Sequence, residues 1–340
     1  YYLLKPWLPA EVHLYPVLDD LLEVWQDNSL EHVFGGVQVI GYRWSPKTHK
    51  IKDFLARHHV PYLWRDFEQD TLAAEIVSDQ NLNSSQLPFL MFPDGSELKS
   101  PSILDIATRV GLKTDAQMPF YDLVIVGGGP AGLASAVYAS SEGLKTLLIE
   151  REAPGGQAGT SSRIENYLGF PAGLTGGDLA RRAVAQANKF GTEILTPQEV
   201  TKIRIEGQYR IVTLSDGEEL NCHALIIATG VSYSKLKVPG IERLTGAGVY
   251  YGAAITEAIS CSNQDVYIIG GANSAGQAAM YLAKYAKTVT LLVRGNSLAA
   301  KMSHYLIDQI EATDNIKVRL STQVVETLGK SNLESIIVNN

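Results

Sequence analysis

The feature that most constrains the fold of this sequence is a glycine-rich turn between an apolar run and a helical pattern. Residues 123–126 are all apolar, as expected of a strand that is buried on both faces of a parallel sheet. The turn at 127–132 reads Gly-Gly-Gly-Pro-Ala-Gly, and residues 133–142 continue as a helix. Glu150 ends the next apolar run. Strand, turn, helix and acid in this order predict a dinucleotide-binding βαβ unit.

The glycines at positions 127, 129 and 132 of this turn form a fingerprint, and each of its positions has a physical reason. The first glycine permits a tight turn, the second lets the backbone approach a pyrophosphate, and the third lets the helix pack closely on the strand. The helix start favours an anion, and Glu150 can accept hydrogen bonds from both ribose hydroxyls. A glycine turn without a ligand is the alternative. The predicted contacts to this first nucleotide are Gly127, Gly129, Pro130, Ala131, Gly132, Glu150 and Arg151.

A second unit of the same kind begins near residue 265. Its turn at 270–275 reads Gly-Gly-Ala-Asn-Ser-Ala and follows an apolar run at 266–269. A helix at 276–285 and a strand at 288–293 come next. This order predicts a second dinucleotide-binding unit in the same chain.

The second fingerprint differs from the first in two respects. Ala272 and Ala275 replace the second and third glycines, and the Cβ of Ala272 hinders close approach of a pyrophosphate. Arg294 rather than an acid follows the second strand, which suits the 2′-phosphate of NADP better than the free hydroxyl of NAD. A purely structural Arg294 is the alternative. The predicted contacts are Gly270, Gly271, Asn273, Ser274, Ala275 and Arg294.

Three shorter stretches accompany the first unit. They are Pro-Gly-Gly-Gln at 154–157, Ile-Glu-Asn-Tyr-Leu-Gly-Phe-Pro at 164–171 and an apolar run that ends in Ala-Thr-Gly at 228–230. In this order they resemble the flavin-domain signatures of the low-molecular-weight thioredoxin reductases, and the resemblance runs from about residue 121 to the end of the chain. It implies FAD at the first site, held also by Gly155, Gly156, Gln157, Asn166, Ala228, Thr229 and Gly230.

The resemblance also implies an activity. NADPH, with NADH as the other possibility, would reduce FAD, and the electrons would pass to a redox protein or a small molecule. It implies a homodimer as well. The FAD domain of this family is discontinuous and returns after the NADPH domain; no returning segment is seen by Asn340, so we expect the chain to be a fragment. A flavin-based redox sensor with little turnover is the alternative function.

One departure from the family concerns the thiols. Thioredoxin reductases carry Cys-x-x-Cys shortly before the second fingerprint, and the corresponding residues 248–257 contain no cysteine. The sequence has two cysteines, Cys222 in a polar stretch and Cys261. We expect both thiols to be buried or idle, and we assign no catalytic side chain and no metal site.

The residues before the first fingerprint predict a small α/β unit. Residues 35–116 resemble a glutaredoxin-like thioredoxin fold, in which Ser45 and Thr48 occupy the positions of the Cys-x-x-Cys pair. Hydroxyls cannot cycle between dithiol and disulfide, so the unit is expected to be a redox-inactive docking or structural module. Leu87-Pro88 matches the cis-proline position of that family. Residues 1–34 predict an amphipathic helix, either a plain N-terminal helix or the tail of a response-regulator receiver domain.

Composition narrows the class of protein. A net charge of −7 argues against a general nucleic-acid binder, and there is no apolar run of membrane-spanning length. A cytoplasmic enzyme is therefore expected. We predict an α/β chain with a glutaredoxin-like fold followed by two Rossmann-like domains. The predicted divisions are 1–34 for the leader, 35–116 for the glutaredoxin-like domain, 117–243 for the FAD domain and 244–340 for an incomplete NAD(P)H domain.

Overall fold

The computed structural model describes residues 35–161, 163–231, 234–252, 258 and 261–340. The predicted helix and receiver-like segment in residues 1–34 lie outside the described residues. The described part is a mixed α/β structure, as predicted, and contains four sheets.

The first sheet has the strand order β2-β1-β3-β4, with β1 parallel to β2 and antiparallel to β3. Its strands are β1 (Val37–Gly41), β2 (Tyr62–Asp66), β3 (Phe89–Met91) and β4 (Glu97–Lys99). Its helices are α1 (Pro46–Arg57), α2 (Thr71–Asp79) and α3 (Ile103–Arg109). Val39, Leu55, Leu90 and Ile106 are fully buried between the sheet and the helices. The Leu87–Pro88 peptide is cis.

The second sheet has the strand order β7-β6-β5-β10-β9-β8. Its strands are β5 (Phe120–Val126), β6 (Thr146–Ile149), β7 (Glu193–Leu195), β8 (Val200–Glu206), β9 (Tyr209–Leu214) and β10 (Glu219–Ile227). The first four in that order are parallel, and β8 and β9 form an antiparallel hairpin that continues into β10. The helices α4 (Pro130–Ser141) and α5 (Gly176–Lys189) belong to this unit.

Two sequence-based assignments in this unit need correction. Helix α4 begins at Pro130, three residues before the predicted start, because proline fits the first helical position, where no amide bond is needed. Cys222 is fully buried, as one of the two expected outcomes, but it lies within β10 rather than in a polar stretch before the strand. The strand is longer than predicted because residues 219–222 pair with β9 before the apolar part begins.

The third sheet has the order β11-β12-β13 and is parallel, and a separate hairpin joins β14 to β15. The strands are β11 (Asp265–Ile269), β12 (Thr288–Leu292), β13 (Ile316–Arg319), β14 (Gln323–Leu328) and β15 (Ser335–Asn339). The helices are α6 (Ile241–Leu244), α7 (Asn273–Leu282) and α8 (His304–Glu311). Helix α7 begins and ends three residues before the predicted helix, with Ala272 as its N-terminal flanking residue.

Candidate functional site

The first glycine turn lies between the ends of three parallel strands. The amide of Gly127 donates to the carbonyl of Ile149 at 2.8 Å, and the amide of Ala228 donates to the carbonyl of Val126 at 2.8 Å. Gly127 has a φ of +107°, and a Cβ there would overlap the carbonyl of Ala228. The turn and residues 228–230 are therefore pressed together at the carboxyl edge of the sheet, where ligands of open α/β sheets bind.

Gly129 differs from its neighbours because no described residue requires it to be glycine. Its φ of −71° suits any residue, and, its two chain neighbours apart, no atom of the described residues lies within 4 Å of a Cβ built on it. It flanks the start of α4, where no side chain caps the first-turn amides. Free amides and a positive helix end beside open space form an anion site.

Gly132 holds this helix against the turn. A Cβ at Gly132 would overlap the carbonyl oxygen of Gly127. The absence of a side chain thus sets the distance between α4 and the strand that precedes it, as the fingerprint predicts.

Glu150 lies behind the turn and is 9% exposed. Its Oε2 accepts from the amide of Gly128 at 2.7 Å, and its Oε1 accepts from the amide of Glu152 at 2.9 Å. The carboxylate is thereby fixed beside the turn, and its contact to a ribose stays a prediction. The middle glycine, Gly128, was not among the predicted contacts. A Cβ there would lie 3.0 Å from the Cβ of Glu150, and the unbroken run of three glycines was the available signal.

Residues 155–157 close another side of the same space. The amide of Gly155 donates to the carbonyl of Gly128 at 2.7 Å, and a Cβ at Gly156 would lie 3.1 Å from the Cα of Gly129. Both glycines have positive φ. Gln157 is exposed beside them. Asn166 is also exposed, and its side chain makes no hydrogen bond with the described residues. The structure thus gathers most of the first predicted set around one open space, and the contact of Asn166 to a flavin stays a prediction.

The second turn has a similar position in its own sheet. The amide of Gly270 donates to the carbonyl of Leu292 at 3.1 Å, and a Cβ at Gly271 would lie 2.6 Å from Cγ1 of Val293. No side chain caps the first turn of α7. Asn273 accepts at its Oδ1 from the amide of Ser303 at 2.8 Å, so this predicted contact also has a structural partner.

Arg294 follows β12 and is exposed. It makes no ion pair and no hydrogen bond with any residue that the structure describes. Among the described residues nothing ties the guanidinium to a structural role, and its contact to a 2′-phosphate stays a prediction.

The two cysteines are not joined in a disulfide. Cys222 is buried in the core of the second sheet, where burial raises the pKa of its thiol, and Cys261 is partly exposed. A buried thiol with a raised pKa is a poor nucleophile.

Comparison with known proteins identifies the family of the chain. Residues 121–340 match the pyridine nucleotide-disulphide oxidoreductase family. The chain belongs to this family. It is 37% identical to the thioredoxin reductase of Bacillus subtilis over 198 residues, which are 58% of this chain and 60% of that relative. It is 33% identical over 219 residues to the 34.2 kDa protein in the rubredoxin operon of Clostridium pasteurianum, covering 64% and 70% of the two chains.

The fold comparison gives the same family. The crystal structure of Lactococcus lactis thioredoxin reductase in its FR conformation superimposes with a TM-score of 0.60 and 32% identity. The match covers 65% of this chain and 71% of that one. Thioredoxin reductase-like members of the family are oxidoreductases that use FAD and NADPH. The open space beside Gly129 and the uncapped helix start fit a dinucleotide of this kind.

None of the helices in the described part of the chain is both long enough and apolar enough to cross a bilayer.

Proposed function

We propose that this protein is an NADPH-dependent flavoprotein oxidoreductase of thioredoxin reductase type, with FAD at the first turn and NADPH at the second. The observation that carries the proposal is Gly129. Its backbone conformation does not require glycine and no described residue packs against it as one, and the space that its missing side chain leaves lies at an uncapped helix start. A pyrophosphate is the group that such a space accepts. The divisions at 117–243 and 244–340 remain part of this proposal.

The residues of the first site have distinct roles in it. The amides of Ala131 and Gly132 would bind the pyrophosphate, and Glu150 would orient the ribose. Residues 155–157 and 228–230 would position the flavin end. When bound, FAD supplies the hydride and electron transfer chemistry, so the chain needs only to bind, orient and shield.

The second site is proposed to take NADPH through α7 and Arg294. The amides at the start of α7 would bind its pyrophosphate, and Arg294 would bind the 2′-phosphate. The Cβ of Ala272 hinders close approach of the pyrophosphate to the turn, so a larger share of the binding energy would come from Arg294.

We propose that electrons pass from the flavin to the acceptor directly, without an intervening dithiol of this chain. The sequence has no Cys-x-x-Cys pair. A disulfide of a partner, a ferredoxin, a quinone or oxygen are the candidate acceptors. We also propose a cytoplasmic homodimer, on the family resemblance.

Residues 35–116 are proposed to form a redox-inactive glutaredoxin-like module. Support comes from the sheet order β2-β1-β3-β4, in which β1 is parallel to β2 and antiparallel to β3, and β3 is antiparallel to β4. Ser45 accepts at its Oγ from the amide of Thr48, and Thr48 is 1% exposed. Neither hydroxyl can exchange with a disulfide.

Replacement of Arg294 by alanine tests the nucleotide choice. Loss of a charge-assisted hydrogen bond should weaken NADPH binding by about 1.5–3 kcal/mol and leave NADH binding nearly unchanged. Both dissociation constants are measured by titration of the flavoprotein. Lys317→Ala, which removes another exposed cation from the same sheet, is the control. Equal loss for the two nucleotides would remove Arg294 from the 2′-phosphate site.

A double cysteine variant tests the electron path. Cys222→Ala avoids burial of a hydroxyl in the core, and Cys261→Ser removes the other thiol. We expect this variant to keep most of the NADPH oxidation rate with a quinone, and we expect the parent protein to reduce thioredoxin poorly. If the variant loses quinone reduction while it retains FAD, a cysteine lies in the electron path.

A flavin-based redox sensor is a second candidate function, and the missing dithiol is the observation that favours it. Steady-state turnover separates the two. A sensor would bind FAD yet oxidise NADPH slowly with quinone, ferricyanide and oxygen alike.

A further inference from the structure

The first turn of helix α1 contacts residues 246–250, which precede the third sheet in the chain. Gly246 has a φ of +82°, and a Cβ built on it would lie 2.9 Å from the Cα and 3.1 Å from the Cβ of Pro46. One turn further along the helix, the ring of His49 contacts the ring of Tyr250, with their centroids 4.7 Å apart. The glycine thus leaves room for the helix start to approach the backbone of the turn at residues 245–250.

That turn is firmly attached to its own unit. The amide of Gly246 donates to the carbonyl of Val249 at 2.8 Å, and the amide of Leu333 donates to the carbonyl of Ala247 at 2.9 Å. Leu244 and Ala247 are buried. The contact with Pro46 and His49 is therefore made by a fixed surface that continues into the β14–β15 hairpin.

The other end of α1 contacts the first nucleotide-binding unit. The guanidinium of Arg57 pairs with the carboxylate of Glu152 at 2.9 Å. The His58 ring bonds to the carbonyl of Phe54 at 2.9 Å through Nδ1 and to the hydroxyl of Thr196 at 3.2 Å through Nε2.

The protonation state of His58 follows from its surroundings. Burial lowers the pKa of His58 to about 4, so its ring is neutral at neutral pH. Nδ1 then donates to the Phe54 carbonyl, and Nε2 accepts from the Thr196 hydroxyl.

One helix of 12 residues, about 18 Å long, thus joins both parts of the flavoprotein. We propose that α1 is a brace between the two nucleotide-binding units, and that the surface at its first turn docks residues 245–250 of this same chain rather than a separate redox protein. In the glutaredoxin-like fold that residues 35–116 resemble, the reactive cysteine pair would lie at this end of the helix. Because residues 245–250 of the same chain cover this surface, the module has a function that needs no thiol chemistry.

The first test is reciprocal hydrogen exchange on the full chain as purified. Tyr250→Ala should speed exchange of the amides at 47–50 by roughly three- to tenfold, as loss of an aromatic pair would, and His49→Ala should do the same at 245–250. Strand β1, in the core of the module, should keep its protection in both. Tyr305→Ala, which truncates another half-exposed tyrosine of the third unit, is the control.

The second test separates a brace from a local contact. Spin labels are placed at Ser141→Cys on α4 and Glu311→Cys on α8 in a Cys261→Ser background, with Cys222 buried and unreactive. Tyr250→Ala frees one end of the brace, and Thr196→Val removes the hydroxyl at the other end. Each should broaden the interlabel distance distribution, while Tyr305→Ala should not.

Unchanged exchange at both ends of the His49–Tyr250 pair would overturn the docking site. A distribution that stays narrow in both variants would overturn the brace. Neither outcome depends on the proposed function, whose failure would appear separately as missing flavin absorbance in the parent protein.

Discussion

Gly129→Val is expected to yield a protein that purifies without flavin yet melts close to the temperature of the flavin-free parent. The backbone at this position suits any residue, and the new side chain meets no protein atom at its Cβ. The side chain would instead occupy the space where a pyrophosphate approaches the start of α4. Flavin content is read from the visible spectrum, and stability from thermal unfolding of both proteins after removal of the cofactor.

Ser141→Val provides the matched control. It introduces the same branched side chain at an exposed position on the same helix, at the opposite end from the turn. This variant should remain yellow. A Gly129→Val protein with a full complement of FAD would show that the turn is structural and that the first nucleotide binds elsewhere.

Gly132→Ala should have a second large effect, by a different route. Here the added Cβ would overlap the carbonyl oxygen of Gly127, which belongs to a turn held by hydrogen bonds to β6. Helix α4 must move away from the strand, and overpacking of this kind costs about 1–3 kcal/mol. We expect a lower melting temperature even without flavin, together with loss of flavin, since the turn would be displaced.

Gly129→Val and Gly132→Ala together separate the loss of flavin binding from the loss of stability. Ala134→Ser, at an exposed position of the same helix, controls for a small substitution and should change neither property. If Gly132→Ala unfolds at the same temperature as the parent apoprotein, the helix can shift freely and the close packing at this position is not needed.

Much of the first nucleotide site could be predicted because its requirements are local. A tight turn, a close helix and an acid at the end of the next strand all follow from one continuous stretch, residues 127–150, and the structure has Gly127 at positive φ and Gly132 against the turn. The cofactor contacts of these residues remain predictions. The second turn was readable for the same reason, although its helix starts earlier than the periodicity indicated.

Other features were not readable from the sequence because they depend on distant partners. Cys222 stands among polar residues in sequence, and it lies inside a strand because β10 runs between β5 and β9. Asn273 matches a nucleotide contact by its position in the sequence, yet its side chain accepts a hydrogen bond from the amide of Ser303. The contacts of Pro46 with Gly246 and of His58 with Thr196 join residues that no local pattern connects.

Those distant contacts also bear on how the chain is made. Pro46 and Gly246 are 200 positions apart, so a ribosome adding about 5–20 residues per second needs about 10–40 s to synthesise the second after the first. During that interval the first turn of α1 is exposed without its partner. The module must therefore be held by its own core, in which Val39, Leu55, Leu90 and Ile106 are fully buried. A weakening substitution in this core should consequently lower the yield of newly made protein more than it lowers the stability of the finished molecule.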